Sequence, residues 1–133
     1  MSPELRWLAW SLLLGLLHLV LAAAAARGQS GLAWALGPRD TPQPPLTGMA
    51  GRLQRAQANF METFPFFLGA VLLVQLSGRG GSASALGAAI YVWARLAYLP
   101  LYAAGIPYLR TLAWGVSVAG LLMVLGSALP WAG

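Results

Sequence analysis

Residues 52–65 read RLQRAQANFMETFP and lead directly into the apolar run FFLGAVLLVQL at 66–76. At about 100° per residue in a helix, one narrow face carries Arg52, Arg55, Asn59, Glu62 and Phe66, of which Arg55, Asn59 and Glu62 are the most informative. Ionisable groups are costly inside a membrane, so they usually face protein or water and mark functional sites. We therefore interpret this polar stripe (Arg55, Asn59 and Glu62) as a binding site on a membrane-spanning helix.

The composition supports a membrane location for the whole chain. Of 133 residues, 59% are hydrophobic and only 8% are charged, whereas soluble domains carry about 25% charged residues. A membrane-spanning helix needs roughly 20 apolar residues, so this length allows four or five passes at most. We expect an all-α integral membrane protein.

The charge and cysteine content exclude several function classes. The net charge is +5 and every basic residue is arginine, but the arginines are scattered among apolar segments. That pattern lacks the basic run or aromatic module of a nucleic-acid-binding domain, so we expect no nucleic-acid partner. With no cysteine and a single histidine, disulfides, thiolate zinc sites and multi-histidine metal sites are excluded, and no metal is expected.

Four apolar segments separated by breaker residues predict a four-helix membrane bundle. The first resembles a signal peptide, but its apolar run is longer than such signals carry and three further spans follow, so we interpret it as a retained helix. Prolines and glycines such as those of GPRDTPQPP indicate a long loop without helix. We predict one membrane domain over 1–133, with helices at about 5–26, 51–76, 83–102 and 108–129 and a polar loop at 27–50.

The placement of arginine predicts the orientation of the bundle. Two arginines, Arg6 and Arg79, lie on one side. The other side carries more, namely Arg27, Arg39, Arg52, Arg55 and Arg110. We therefore expect the long loop and the polar stripe on the cytoplasmic side and both termini outside.

A second polar cluster lies at the end of the third helix. Tyr91, Arg95, Tyr98 and Tyr102 have the spacing of a single helical face, and Arg110 begins the next helix after a tight turn. Added to the polar stripe, these residues combine three guanidiniums with one carboxylate. Because arginine forks hold carboxylates in a bidentate manner, the ligand implied is a small anion that also carries an amine or another donor.

Two stretches resemble the MAPEG family (membrane-associated proteins in eicosanoid and glutathione metabolism). The stretch RAQANFMETFPFF, from Arg55, resembles its second-helix signature, and ARLAYLPLYAAGIPYLRTL, from Ala94, resembles its segment joining the third and fourth helices. Specific motifs of the family cover about 51–114, and the rest of the chain is similar only in its length and its four-helix arrangement. The resemblance indicates a family member of bacterial type.

The resemblance implies a homotrimer of four-helix protomers that binds glutathione between subunits near the cytoplasmic face. The positions that match those holding glutathione are Arg55, Gln57, Asn59, Glu62, Arg95, Tyr98 and Tyr102. Arg110 matches a catalytic arginine that stabilises the glutathione thiolate. A free thiol has a pKa of about 8.5, and a fixed cation nearby lowers that pKa and so creates the nucleophile.

These implications lead to an expected function and location. We expect a glutathione-dependent transferase or peroxidase of the bacterial inner membrane that takes lipophilic electrophiles from the bilayer. Two features depart from the family pattern: Thr63 stands where an aromatic residue is frequent, and the Pro-rich loop has no counterpart that can be mapped.

Two other functions are compatible with the same residues. The polar stripe is also typical of an interhelical network that fixes subunit packing in a non-catalytic trimer. Alternatively, Glu62 is the proton-carrying group of a small proton-coupled transporter, although nearby arginines oppose protonation of a carboxylate.

Single residues have structural interpretations as well. Arg52 is interpreted as a lipid-headgroup anchor, and Arg95 as a structural partner of Glu62. In this interpretation Arg110 is simply the basic residue at the cytoplasmic start of its helix, and His18 a residue packed inside the bundle. Tyr98 and Tyr102 also suit an interfacial aromatic belt. We expect four tryptophans to anchor the helix ends at the membrane interface, namely Trp7, Trp10, Trp114 and Trp131. We expect four glycines to allow close packing between helices, namely Gly69, Gly87, Gly115 and Gly120.

Overall fold

The computed structural model describes residues 1–130, and within that range the chain is helical apart from its connections. The helices are α1 Pro3–Ser30, α2 Ala33–Leu36, α3 Gly48–Ser77, α4 Ser82–Ala103 and α5 Pro107–Ala128. Four of these, α1, α3, α4 and α5, are long and apolar enough to cross a membrane. The predicted all-α membrane fold with four spanning helices is confirmed, while the anchor predicted at Trp131 lies outside the described residues.

The helices differ from the predicted ones mainly at their ends. α1 continues to Ser30, where the Gly31 N–H donates to the carbonyl oxygen of Arg27 at 2.8 Å. α4 runs through Pro100 and ends at Ala103, close to the predicted end at about 102. Proline lacks a backbone N–H, so one helical hydrogen bond is lost. Membrane helices tolerate this loss because neighbouring groups satisfy the carbonyl oxygen that is left without a donor. The loop also contains the short α2, which precedes the dense prolines and was not predicted.

Two glycines allow α4 and α5 to touch through their backbones. A Cβ atom built on Gly120 lies 2.6 Å from the carbonyl oxygen of Gly87 and 2.7 Å from the backbone nitrogen of Tyr91. The predicted role of Gly87 and Gly120 in close packing is confirmed. The same prediction is wrong for Gly69 and Gly115, since a Cβ atom at either meets no neighbouring element within 4 Å.

Aromatic side chains fill the space between α1, α3 and α4. The ring centroid of Phe60 lies 4.9 Å from that of His18 and 5.3 Å from that of Phe64. Deeper in the bundle, the rings of Phe67 and Tyr91 stack at 4.0 Å. These contacts fix the rotation of α3 about its axis and so decide which side chains it presents to α4.

At the end of the bundle opposite the long loop, a buried carboxylate joins α1 to α4. Glu4 is only 3% exposed, and the Ser84 hydroxyl donates to its Oε1 atom. The Gly81 N–H in turn donates to the Ser84 Oγ at 2.9 Å. Because Glu4 lies in the first turn of α1 and beside the first turn of α4, both helix dipoles stabilise its negative charge.

Removal of the Ser84 hydroxyl is expected to destabilise the bundle. A Ser84→Ala variant leaves the Glu4 carboxylate without its donor, which costs about 1.5–3 kcal/mol for a hydrogen bond to a charged group. Thermal unfolding in detergent measures the effect, with Ser82→Ala as the control because Ser82 is exposed in the same helix turn. Equal unfolding temperatures for the two variants would show that the contact does not stabilise the fold.

Candidate functional site

Arg95 is the centre of the site, because α3 and α4 meet on its side chain. The residue is 0% exposed, and its Nη1 donates to the Asn59 side-chain oxygen at 2.8 Å. The guanidinium carbon lies 4.3 Å from the ring centroid of Tyr98 and 5.5 Å from that of Phe60. Cation–π contacts of this kind stabilise a buried guanidinium and fix its orientation.

The Arg95 guanidinium is nevertheless under-satisfied. Its Nε and Nη2 atoms are buried and have no acceptor in the part of the chain that the structure describes. A buried charge normally carries partners for all its hydrogen-bonding groups. Asn59 supplies one neutral oxygen, so the positive charge of Arg95 is not neutralised and two of its nitrogen atoms lack acceptors. An anionic ligand would provide both the charge and the acceptors.

Tyr102 lies between two further arginines at the loop end of the bundle, where the long loop and the α4–α5 turn are located. The Arg55 Nε donates to the Tyr102 hydroxyl at 3.2 Å. The Arg110 guanidinium carbon lies 4.4 Å from the centroid of the same ring, and the Tyr98 ring is 5.5 Å away. α3, α4 and α5 thus each contribute one arginine to a single cluster.

Glu62 lies on the same face of α3 but stands apart from the cluster. Its side chain is exposed, and within residues 1–130 it forms no ion pair. The interpretation of Arg95 as its structural partner is therefore wrong for the single chain, because Asn59 provides the acceptor instead. An exposed carboxylate on the face of α3 that also carries Arg55 and Asn59 is suited to bind a cationic group of a ligand.

Gln57, like Glu62, stands apart from the arginine cluster, and it lies on a different face of α3. It lines a cavity of about 410 Å³ between α1, α3 and the long loop. Gln54, also on α3, and Arg27, at the end of α1, share that cavity. α3 therefore presents two different polar faces, one toward Arg95 and one toward α1 and the loop.

His18 is 1% exposed and packs on Phe60, which confirms its interpretation as a packed residue, and neither ring nitrogen has a hydrogen-bond partner in the described range. Two other contacts at the site were missed by sequence reasoning. Thr63 pairs with the Tyr91 hydroxyl at 2.9 Å. The Nε of Arg52, the residue that we interpreted as a headgroup anchor, donates to the carbonyl oxygen of Ala103 at 2.8 Å. The helical spacing that puts Tyr91 on the same face as Arg95 was the only sequence signal for either contact.

The fold and the site together define a class of protein: a four-helix integral membrane protein with a cluster of arginine, tyrosine and amide side chains at one end. The family model of the MAPEG family matches residues 7–130, which is nearly the whole chain. The chain belongs to the MAPEG family, whose members include glutathione-dependent transferases and peroxidases. No curated protein matches the chain.

Proposed function

We propose that this protein is a membrane-bound transferase or peroxidase that uses glutathione as co-substrate and acts on lipophilic electrophiles. The observation that carries the proposal is the buried Arg95, whose Nε and Nη2 lack acceptors. Arg55 and Arg110 both contact Tyr102, in the same cluster as Arg95. The three guanidiniums, with the exposed carboxylate of Glu62 on the same face of α3, match the two carboxylates, thiolate and ammonium of glutathione.

We assign each residue a role from its position together with the resemblance to the family. Arg55 and Arg95 bind carboxylates of glutathione, with Asn59, Tyr98 and Tyr102 as neutral partners, and Glu62 binds its ammonium group. Arg110, stacked on Tyr102, stabilises the thiolate. The thiolate sulfur then donates an electron pair to the electrophilic atom of the second substrate, and the leaving group departs with the electrons of the bond that breaks.

The two polar faces of α3 support a site that subunits share. In one protomer the Arg95 cluster and the cavity lined by Gln57 lie on different sides of that helix. Glu62 is exposed within a helix long enough to span the membrane, where lipid is a poor environment for a carboxylate. In a homotrimer, the Gln57 face of one subunit meets the Arg95 cluster of the next, and glutathione occupies the junction at the cytoplasmic side.

Glutathione is expected to stabilise the detergent-purified protein against heat. A ligand at 100 times its dissociation constant adds about 2.7 kcal/mol to the free energy of unfolding. Arg55→Ala and Glu62→Ala should lose most of this stabilisation, because each removes a charge that contacts the ligand. Arg6→Ala, which removes an exposed charge at the opposite end of the bundle, should retain it. A wild-type protein whose melting temperature does not respond to millimolar glutathione would refute the binding proposal.

The alternative of a proton-coupled transporter rests on the isolation of Glu62. Its carboxylate is exposed and has no arginine paired with it in the described range. Proton-driven uptake into vesicles that disappears with Glu62→Gln would favour transport over transfer. Glutathione binding without turnover of any lipophilic electrophile would instead favour a non-catalytic trimer.

A further inference from the structure

The connection between α1 and α3 is a closed loop with fixed ends. The Gln29 amide nitrogen donates to the carbonyl oxygen of Thr47 at 3.1 Å, and the Thr47 N–H donates back to the Gln29 amide oxygen at 2.9 Å. Compact loops with joined ends pack on their own side chains and are frequently functional. Residues 31–47 are therefore held in place over the cavity that contains Gln57.

Trp34 organises the interior of this loop. Its indole N–H donates to the carbonyl oxygen of Thr41 at 2.7 Å. The Arg39 Nε donates to the carbonyl oxygen of Ala35 at 3.1 Å, and its guanidinium carbon lies 5.2 Å from the indole centroid. Arg39 also has a φ of 59°, which non-glycine residues adopt rarely. Residues with backbone strain of this kind concentrate at ligand-binding sites, so the strain at Arg39 favours a binding role for this residue.

A second arginine shares the same indole. The guanidinium carbon of Arg27 lies 5.8 Å from the Trp34 ring centroid, and Arg27, Arg39 and Gln57 all line the cavity of about 410 Å³. Among residues 1–130, none of the side chains that line that cavity is acidic. Asp40, the nearest acid in sequence, is exposed and forms no ion pair with Arg39 in the described part of the chain. Two cations on one ring without a counter-charge form an electrostatic site for an anion.

We propose that Arg39, held over Trp34 by the loop, is an additional anion-binding residue of the glutathione site. The inference rests on the proposed function, because Gln57 on the cavity wall is one of the positions implied to hold glutathione. Arg39 lies on the α1 side of the site, away from Arg110, so it binds a carboxylate of glutathione rather than the sulfur. It therefore sets the affinity for glutathione and leaves the thiolate chemistry unchanged.

Two substitutions separate the charge of Arg39 from its backbone. Arg39→Asn removes the charge with a residue that accepts positive φ more readily than most, and Arg39→Lys keeps the charge but changes the donor geometry. For Arg39→Asn we expect the Kd and the KM for glutathione to rise about tenfold, with kcat for a model aryl halide within about twofold of wild type. Arg39→Lys should recover part of the affinity. Calorimetric titration and steady-state kinetics measure both quantities.

Modified glutathiones identify the group that Arg39 binds. Glutathione monoethyl ester lacks the glycine carboxylate, and cysteinylglycine lacks the glutamyl carboxylate. If Arg39 binds one of these groups, the probe without it should bind wild type and Arg39→Asn equally, while the other probe should still distinguish them. Equal discrimination by both probes would overturn the assignment of Arg39 to a single carboxylate.

Arg6→Asn removes one positive charge from the exposed surface at the other end of the bundle and should bind glutathione like wild type. Equal losses in Arg6→Asn and Arg39→Asn, unchanged affinity in Arg39→Asn, or a loss confined to kcat would each overturn the inference while glutathione binding by wild type stands. A wild-type protein that binds no glutathione would overturn the proposed function and, with it, this inference.

Discussion

Gly120→Ala is expected to destabilise the folded protein more than any other single substitution described above. The new methyl group would lie 2.6 Å from the Gly87 carbonyl oxygen and 2.7 Å from the Tyr91 backbone nitrogen. Both neighbours are backbone atoms of α4, so no side-chain rotation relieves the clash and the two helices must separate. Overpacking typically costs about 1–3 kcal/mol, and a clash between two rigid backbones belongs at or above the upper end of that range.

Thermal unfolding and size-exclusion chromatography in detergent measure this effect. The matched control is Gly115→Ala on the same helix, because a Cβ atom there meets no neighbouring element within 4 Å. Alanine favours a helix over glycine by about 1 kcal/mol, so the control should be neutral or slightly stabilising. Similar behaviour of the two variants would mean that α4 and α5 do not pack through Gly87 and Gly120.

Arg110→Ala should eliminate the thiolate form of bound glutathione at neutral pH. Without the guanidinium beside Tyr102, the thiol pKa returns toward its free value of about 8.5. Below that pKa, the thiolate fraction falls about tenfold for each unit by which the pKa rises, and the rate with an electrophile falls with it. The ultraviolet absorbance of the thiolate, recorded as a difference spectrum on adding glutathione, measures the change directly.

Two comparisons make the Arg110 experiment decisive. Arg110→Lys keeps a cation near the sulfur and should retain part of the thiolate absorbance. Because Arg55 and Arg95 remain in place, Arg110→Ala should still be stabilised by glutathione against heat. A thiolate absorbance that survives Arg110→Ala would remove the proposed role of this residue.

The fold was predictable because its signals are local and repeated. Long apolar segments bounded by glycine and proline define membrane helices, and the number and order of the helices follow from them. The polar stripe was visible because a helix of known period places Arg55 and Asn59 on one face. Charged and amide groups in such a segment stand out against an apolar background.

The contacts within the site were less predictable, because they depend on how each helix is rotated against its neighbours. We interpreted Arg95 as a structural partner of Glu62, whereas its guanidinium, packed over Phe60, donates to Asn59. His18 gave no signal beyond its isolation among leucines. The Trp34–Arg39 contact lies in a loop without periodicity, where sequence patterns carry little information about side-chain direction.

The hydrogen bonds between Gln29 and Thr47 have a consequence for how this protein can diverge. They hold the end of α1 against the start of α3 independently of what lies between them. For a loop with joined ends, doubling the length costs only about 0.6 kcal/mol in closure entropy. Insertions and deletions in 37–45 would therefore move Arg39 and break the Trp34–Thr41 contact while leaving the membrane helices and the Arg95 cluster in place.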